Sequence, residues 1–294
     1  MKIKKLLLSS VLSVPFLPVS CVNSPINTLN KQEAYEHFSV MDNSYEDFVQ
    51  NNLIQEVLSQ LFPNEEEKNT YIQEQNKLNN ETYTNKIQAA LKYANHLTYS
   101  LNLNRVAWTS GKASILNVAN EIIDNLREKN WLFFLYNLHR FTFVQDQLEG
   151  GSDYQSVEKR SEAEENMLLY QNFYQPKSNK IIDFVIQEYS NDEYENIKQV
   201  YFLNEEGFIF KIVLSFAKEN EKIIERKAEV FGYVYTYPKL LKSNNKLKDF
   251  DLKKYVLATQ SFENYNLYSS NTEAVLFTDK YGGKELVYTI VDFK

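Results

Sequence analysis

Histidines, the residues that most often bind catalytic metals, are few and scattered in this sequence. A catalytic zinc site usually draws two or three histidines from a compact spacing such as H-E-x-x-H. The histidines here lie far apart, at His37, His96 and His139. The chain has one cysteine, so no second thiol could complete a site. We therefore expect no metal site, and we interpret each histidine as a surface residue or a hydrogen-bonded core residue.

Other motifs that mark reactive groups are incomplete. The segment Ser110-Gly111-Lys112-Ala113 looks like the end of a phosphate-binding loop. Such a loop needs a glycine where Val106 stands, and a serine or threonine in place of Ala113 to hold magnesium. We interpret the segment as the start of a helix. The sequence has no G-x-S-x-G motif, and no spacing singles out a carboxylate pair of the glycosidase kind. It thus predicts no catalytic residue and no cofactor.

Cys21 ends a segment that has the features of an export signal. Three lysines fall within the first five residues, and the apolar stretch after them is shorter than the roughly 20 residues of a transmembrane helix. The sequence Leu17-Pro18-Val19-Ser20-Cys21 resembles the lipobox of bacterial lipoproteins, except that Pro18 replaces the usual Leu, Val or Ile. The resemblance implies cleavage before Cys21 and diacylation of its sulfur, and two acyl chains hold a protein on a bilayer. A plain secretory signal with an incidental cysteine is the alternative.

The most unusual segment is the aromatic-rich run from Trp131 to Val144. The favoured interpretation is a helix buried on nearly all sides at the centre of a helical bundle. A platform that binds a lipid or a sugar is the alternative. The short length of the run, and the charge at His139-Arg140, argue against a membrane span. The cluster residues, assigned to the core or to a binding site, are Trp131, Phe133, Phe134, Tyr136 and Phe141.

Before residue 175 the apolar residues recur with the spacing of helices. Ser44 and Asp47 form a capping box that predicts a helix start. Pro63 predicts the end of the first long helix, and Asn64 predicts the start of the next. Further helices are predicted at about 83–101, from about 110 to 144, and at about 153–174.

After Pro176 the period of the apolar residues changes from near 3.6 to 2. One face of a predicted strand carries Phe208, Phe210, Ile212, Leu214 and Phe216, and residues 204–207 join it to 200–203 as a hairpin. Other strands are predicted at 181–189, 228–237, 255–262, 274–278 and 286–293. Helices followed by strands predict an α+β fold, with an N-terminal helical bundle and then an antiparallel β-sheet of about six or seven strands.

The predicted organisation has four parts. They are a signal peptide at 1–20, a lipidated cysteine and polar tether at 21–32, a helical region at 33–175 and an antiparallel β region at 176–294. One combined domain is the alternative for the last two parts. The chain has 294 residues, 43% of them hydrophobic and 14% aromatic, which is enough for a large core.

The net charge argues against nucleic acid as a partner. The formal charge is −7, and it becomes three units more negative without the leader lysines Lys2, Lys4 and Lys5. Duplex binding needs a concentrated positive surface, so no nucleic-acid role is expected.

The leader with Cys21 and the run Trp131 to Leu138 together resemble mycoplasma surface lipoproteins of the aromatic-cluster, or aromatic-motif, membrane protein group. The resemblance implies a protein on the extracellular face of the cell membrane, held by its lipid. We therefore expect a binding or interaction role rather than an enzyme, with a host or bacterial surface protein as partner. The alternatives are a solute-binding lipoprotein of a transporter and a secreted hydrolase.

Overall fold

The computed structural model describes residues 44–91, 113–146, 173–242, 247–265, 279–282 and 285–294. They form several helices and an antiparallel sheet, which confirms the predicted α+β class. The helices are α1 (Tyr45–Val49), α2 (Asn52–Leu61), α3 (Glu65–Lys77), α4 (Glu81–Leu91), α5 (Ala113–Arg127), α6 (Trp131–Tyr136), α7 (Pro238–Lys242), α8 (Leu252–Tyr265) and α9 (Asp279–Tyr281). The strands are β1 (Phe141–Asp146), β2 (Phe173–Tyr174), β3 (Ile181–Asn191), β4 (Glu195–Asn204), β5 (Ile209–Glu219), β6 (Lys222–Val230), β7 (Tyr233–Thr236) and β8 (Leu286–Phe293).

Several predictions concern residues outside these ranges. They are the leader, Cys21 and the tether, the helix at 92–101, the loop at 110–112, the helix at 153–172 and the strand at 274–278. None of the helices in the described ranges is both long enough and apolar enough to cross a membrane.

The first helices begin where Ser44 and Asn64 predict, but the first predicted helix is divided at residues 50–51, where Asn51 caps α2. The Ser44 hydroxyl accepts a hydrogen bond from the Asp47 backbone N–H at 3.1 Å and donates one to its carboxylate at 2.9 Å. The Asn64 side chain accepts bonds from the backbone N–H groups of Glu66 and Glu67 at the start of α3. These bonds satisfy N–H groups that have no partner within the helix, so the sequence determines the starts locally.

The long helix predicted from about residue 110 through Val144 is wrong in two places, because the chain breaks at residues 128–130 between α5 and α6 and the helix ends at Tyr136. The chain leaves α6 at Asn137, makes a short 3-10 turn and enters β1 at Phe141. Residues 141–144 are aromatic or β-branched, and they pair with β8 in a ladder whose register shifts once, between Thr142 and Phe143. The end of the predicted helix at 153–174 is also wrong, because Phe173–Tyr174 pair with β1 as β2. With these two strands the sheet formed by the described residues has eight strands, above the six or seven predicted.

The strand predicted at 255–262 is wrong, because these residues belong to α8. The Asp251 carboxylate accepts a bond from the backbone N–H of Lys254 at 3.0 Å, which caps the helix start. Leu252, Tyr255 and Val256 are all buried, with the i, i+3, i+4 spacing of one helix face. The Asp251 cap and the helical spacing of these buried residues explain why the segment forms a helix.

All strand pairs are antiparallel, and their order is β2-β1-β8-β7-β5-β4-β3, with β6 also paired to β5. The predicted hairpin of β4 and β5 is confirmed, with Phe202 opposite Phe210. The strand predicted at 228–237 is split into β6 and β7, with a break at residues 231–232.

Two hydrophobic cores lie on opposite faces of the sheet. The larger one joins α1 to α6 to the face that carries Phe202 and Phe210. The smaller one joins α7, α8 and α9 to the face that carries Tyr201 and Ile209. Adjacent residues of one strand point to opposite faces, so β4 and β5 contribute to both cores. The described residues therefore form helix, sheet and helix layers, and the predicted N-terminal bundle as a separate unit stays a prediction.

The turn between β4 and β5 depends on Asn204 and Gly207. The Asn204 Oδ1 atom accepts bonds from the backbone N–H groups of Glu206 and Phe208, at 3.1 and 2.8 Å. Gly207 has a φ angle of 91°, a conformation that side chains disfavour. A Cβ atom built on it would lie 3.0 Å from the Leu240 Cβ atom. The turn is therefore pressed against α7, where only glycine fits without displacement.

Candidate functional site

The predicted aromatic cluster lies almost entirely inside the larger core. Trp131, Phe133, Phe134 and Phe141 have at most 2% of their surface exposed. Tyr136 is half-buried, with its ring centroid 5.0 Å from that of Tyr45. Helix α6 is too short to be stable alone, so burial of its rings holds it in place.

The rings of the cluster contact one another and the last strand. Phe134 meets Phe141 edge to face with a centroid distance of 4.8 Å. Phe293 on β8 lies 4.5 Å from Phe141 and 6.1 Å from Phe133, centroid to centroid. Such pairs add to the free energy of burial. Most of the cluster is therefore core, and a ligand can reach it only where it meets the surface.

One such place is a cleft of about 470 Å³ between α2, α3, α6 and β6, which we call the Trp131 cleft. Its apolar wall, which we call the ring wall, is a stack of three rings from Phe62, Tyr71 and Trp131. The first two centroids lie 4.7 Å apart, and the second and third lie 5.9 Å apart, with the ring planes within 29° of each other. Phe62 and Tyr71 are half-buried, whereas Trp131 is buried and packs against the Tyr71 ring.

Hydrogen bonds hold the ring wall in position. The Tyr71 hydroxyl donates to the Lys129 carbonyl oxygen at 3.0 Å, which ties α3 to the loop before α6. The Gln75 amide donates to the Asn130 side chain at 3.1 Å and accepts from the backbone N–H of Phe133 at 3.2 Å. Burial raises the pKa of Tyr71 well above its ordinary value, so this hydroxyl stays protonated as a donor. The wall is thus fixed before any ligand arrives.

Charged side chains surround the ring wall. The cleft is lined by the acidic residues Glu74 and Glu128 and by the basic residues Lys129, Arg226 and Lys227. All except Arg226 are exposed, and Arg226 is half-buried. An apolar wall with a few polar groups is the usual composition of a small-molecule site. The arrangement is suited to contact with a ring that also carries charge.

Of the histidines, only His139 falls within the described ranges. Burial, with the nearby Arg140 charge, lowers its pKa below the ordinary value of 6.5. Its Nδ1 atom has no hydrogen-bond partner among the described residues. No group of three or more His, Cys, Asp or Glu residues that could hold a metal occurs in the described part of the chain.

A second cluster of titratable groups lies at the turn between β4 and β5. One Glu206 carboxylate oxygen accepts bonds from the backbone N–H groups of Lys177 and Ser178, at 2.9 and 3.3 Å. Glu205 is 6% exposed. Burial raises the pKa of both carboxyls above the ordinary value of 4.5. The bonds fasten the loop before β3 to the turn, which gives the pair a structural role.

The raised pKa of Glu205 makes stability depend on pH. The folded state binds this proton more tightly than the unfolded chain, so its contribution to stability is fully present below a pH of about 4.5 and is lost as the pH rises through the folded pKa. Glu205→Gln should therefore flatten the fall in stability with rising pH. Urea unfolding from about pH 4 to about pH 7 measures it. The same slope in Glu205→Gln and in the wild type would contradict the prediction.

Sequence reasoning singled out Trp131 but missed Phe62, Tyr71 and Arg226 as parts of the same cleft. These residues come from the end of α2, from α3 and from β6. Their proximity depends on how the helices pack on the sheet, and no local spacing encodes it. The predicted lipidation residue Cys21 lies outside the described residues.

These features define an α+β protein with an antiparallel sheet between helices and a core built on clustered aromatic rings. Residues 27–282 match the family described as aromatic cluster surface protein, and the chain belongs to this family of surface proteins. The resemblance to the aromatic-cluster group is thereby confirmed. No curated protein and no solved structure matches the chain.

Proposed function

We propose that this chain is a membrane-anchored surface lipoprotein whose folded body binds other molecules at the Trp131 cleft. The observation that carries the binding role is the ring wall of Phe62, Tyr71 and Trp131, which borders an open cleft. Aromatic rings at the surface provide a large, rigid contact area at a low cost in conformational entropy. A membership in a family of surface proteins agrees with contact outside the cell.

The anchor is proposed from the leader and from Cys21. The lipobox resemblance is carried by Leu17 to Cys21, after a positive start and an apolar stretch. Two acyl chains on Cys21 would hold the body at the extracellular face of the membrane. The role proposed there is binding rather than catalysis, with a host or bacterial surface molecule as partner.

Cys21→Ser should abolish lipid attachment. Cells that express the wild type and the variant are labelled with a palmitate analogue, and the label on the chain is measured after detergent extraction. The wild type should be labelled and should partition into the detergent phase, whereas the variant should do neither, because serine offers no thiol for diacylation. Equal labelling of both chains would refute the anchor.

A further inference from the structure

We propose that the Trp131 cleft binds a small molecule in which a planar ring carries an anionic group, with Arg226 as the residue that pairs with the anion. This inference rests on the binding role proposed for the cleft, and it adds the chemical class of the ligand. It stands on the ring wall, on the placement of Arg226 and on the charges at the rim.

The ring wall selects for a planar, apolar part of the ligand. Phe62 and Tyr71 are half-buried, so part of each ring borders the cleft. Aromatic rings pack favourably against other rings in offset or edge-to-face geometry. The cleft volume of about 470 Å³ falls in the range of sites for small ligands, which is about 300–1,000 Å³.

The Arg226 side chain lies on the face of β6 that contributes to the larger core. Ala228 and Val230, two and four residues further along the strand, are buried in the larger core. Side chains alternate between the faces of a strand, so Arg226 points toward the same face as these two residues. There it lines the cleft together with Trp131.

Arg226 differs from the other arginines of the described ranges in having no partner there. Arg127 pairs with the Glu229 carboxylate and donates to the Val230 carbonyl oxygen. Arg140 donates to the Lys294 carbonyl oxygen and to the Thr84 hydroxyl. The Arg226 side chain forms no hydrogen bond and no ion pair with the described residues, whereas its backbone pairs with Phe216 in the sheet. A half-buried arginine with unused guanidinium donors is suited to a carboxylate or a phosphate, which it binds through two parallel bonds.

The charges at the rim limit the size of the anion. Glu74 and Glu128 are exposed beside the cleft, where they would repel a long polyanion. The Lys227 ammonium lies 3.0 Å from the Glu225 carboxylate, so a local partner already offsets its charge. The arrangement favours a compact ligand with one anionic group next to its ring. Both a nucleotide and an aromatic carboxylate have this chemistry.

Calorimetric titration of the detergent-solubilised full chain tests the inference. The probes are two matched pairs: AMP with adenosine, and 2-naphthoate with 2-naphthalenemethanol. At least one anionic probe should bind about tenfold more tightly than its neutral counterpart, since a hydrogen bond to a charged group contributes roughly that much. Arg226→Gln should remove this advantage. Lys222→Gln, an exposed lysine on the same strand and outside the cleft, should keep it.

Phe62→Ala should weaken the binding of charged and neutral probes alike, because it shortens the ring wall. Thermal unfolding of each variant shows whether it is folded. Tighter binding of AMP alone identifies a nucleotide-type ligand, and tighter binding of 2-naphthoate alone identifies an aromatic carboxylate; either result supports the inference. Equal binding within both pairs would overturn the anionic class while leaving the binding role of the cleft intact. Binding of none of the four probes would overturn both, and the labelling of Cys21 would still test the anchor independently.

Discussion

Phe134→Ala is expected to lower the free energy of unfolding by about 3–5 kcal/mol. Phe134 is 1% exposed, and its ring packs edge to face on Phe141, between α6 and β1. The substitution leaves a cavity that the surrounding rings can fill only in part. The loss is a large share of the roughly 5–15 kcal/mol by which folded proteins are stable.

Thermal and urea unfolding of the wild type and the variant measure this loss. About 1 kcal/mol moves the melting midpoint of a domain of this size by roughly 2–4 °C. The matched control is Tyr194→Ala, because Tyr194 is also aromatic but is 72% exposed. The control should leave the midpoint nearly unchanged. A shift below about 2 °C for Phe134→Ala would show that the ring does not belong to the core.

Gly207→Ala is expected to lower the free energy of unfolding by about 2–5 kcal/mol. Two effects add at this position. A residue with a side chain pays roughly 1–2 kcal/mol for the left-handed conformation that the φ angle of 91° requires. The new Cβ atom would also lie 3.0 Å from the Leu240 Cβ atom and 3.2 Å from the Leu240 carbonyl oxygen. Overpacking of this kind costs roughly 1–3 kcal/mol, because α7 has to move.

Gly282→Ala separates the two effects. Gly282 has a φ angle of 94°, so the backbone cost is matched. The three atoms nearest to a Cβ built there all belong to the side chain of Lys239, which is exposed, and the closest is its Cγ atom at 2.8 Å, so the contact is with a side chain and not with backbone. Urea unfolding should therefore show a smaller loss for Gly282→Ala than for Gly207→Ala. Equal losses would mean that the contact with α7 contributes nothing.

The parts of the fold that the sequence predicts are those with a local cause. Ser44 and Asn64 cap helices through bonds to residues two or three positions away. The alternation from Phe208 to Phe216 predicts β5, because every second residue of the strand is buried in the larger core. In these segments propensity, pattern and packing all agree.

The predictions fail where a distant partner decides the outcome. Residues 141–144 are compatible with a buried helix by composition, and pairing with β8 makes them a strand. The same limit applies to the Trp131 cleft. Trp131 stands out in the sequence, whereas Phe62, Tyr71 and Arg226 become neighbours only through the packing of two helices and a strand. A short apolar run alone does not distinguish helix from strand.

The position of β8 in the sheet determines the order in which the strands can pair during synthesis. This strand lies between β1 and β7, so it joins strands that the ribosome has made long before it. The backbone N–H of Lys294 also donates to the Arg140 carbonyl oxygen, which closes the longest loop of the sheet. The β1–β2 pair cannot join the other strands until residues 286–293 have emerged. The nascent chain thus stays incompletely folded until then, and sheets with such distant pairings form slowly.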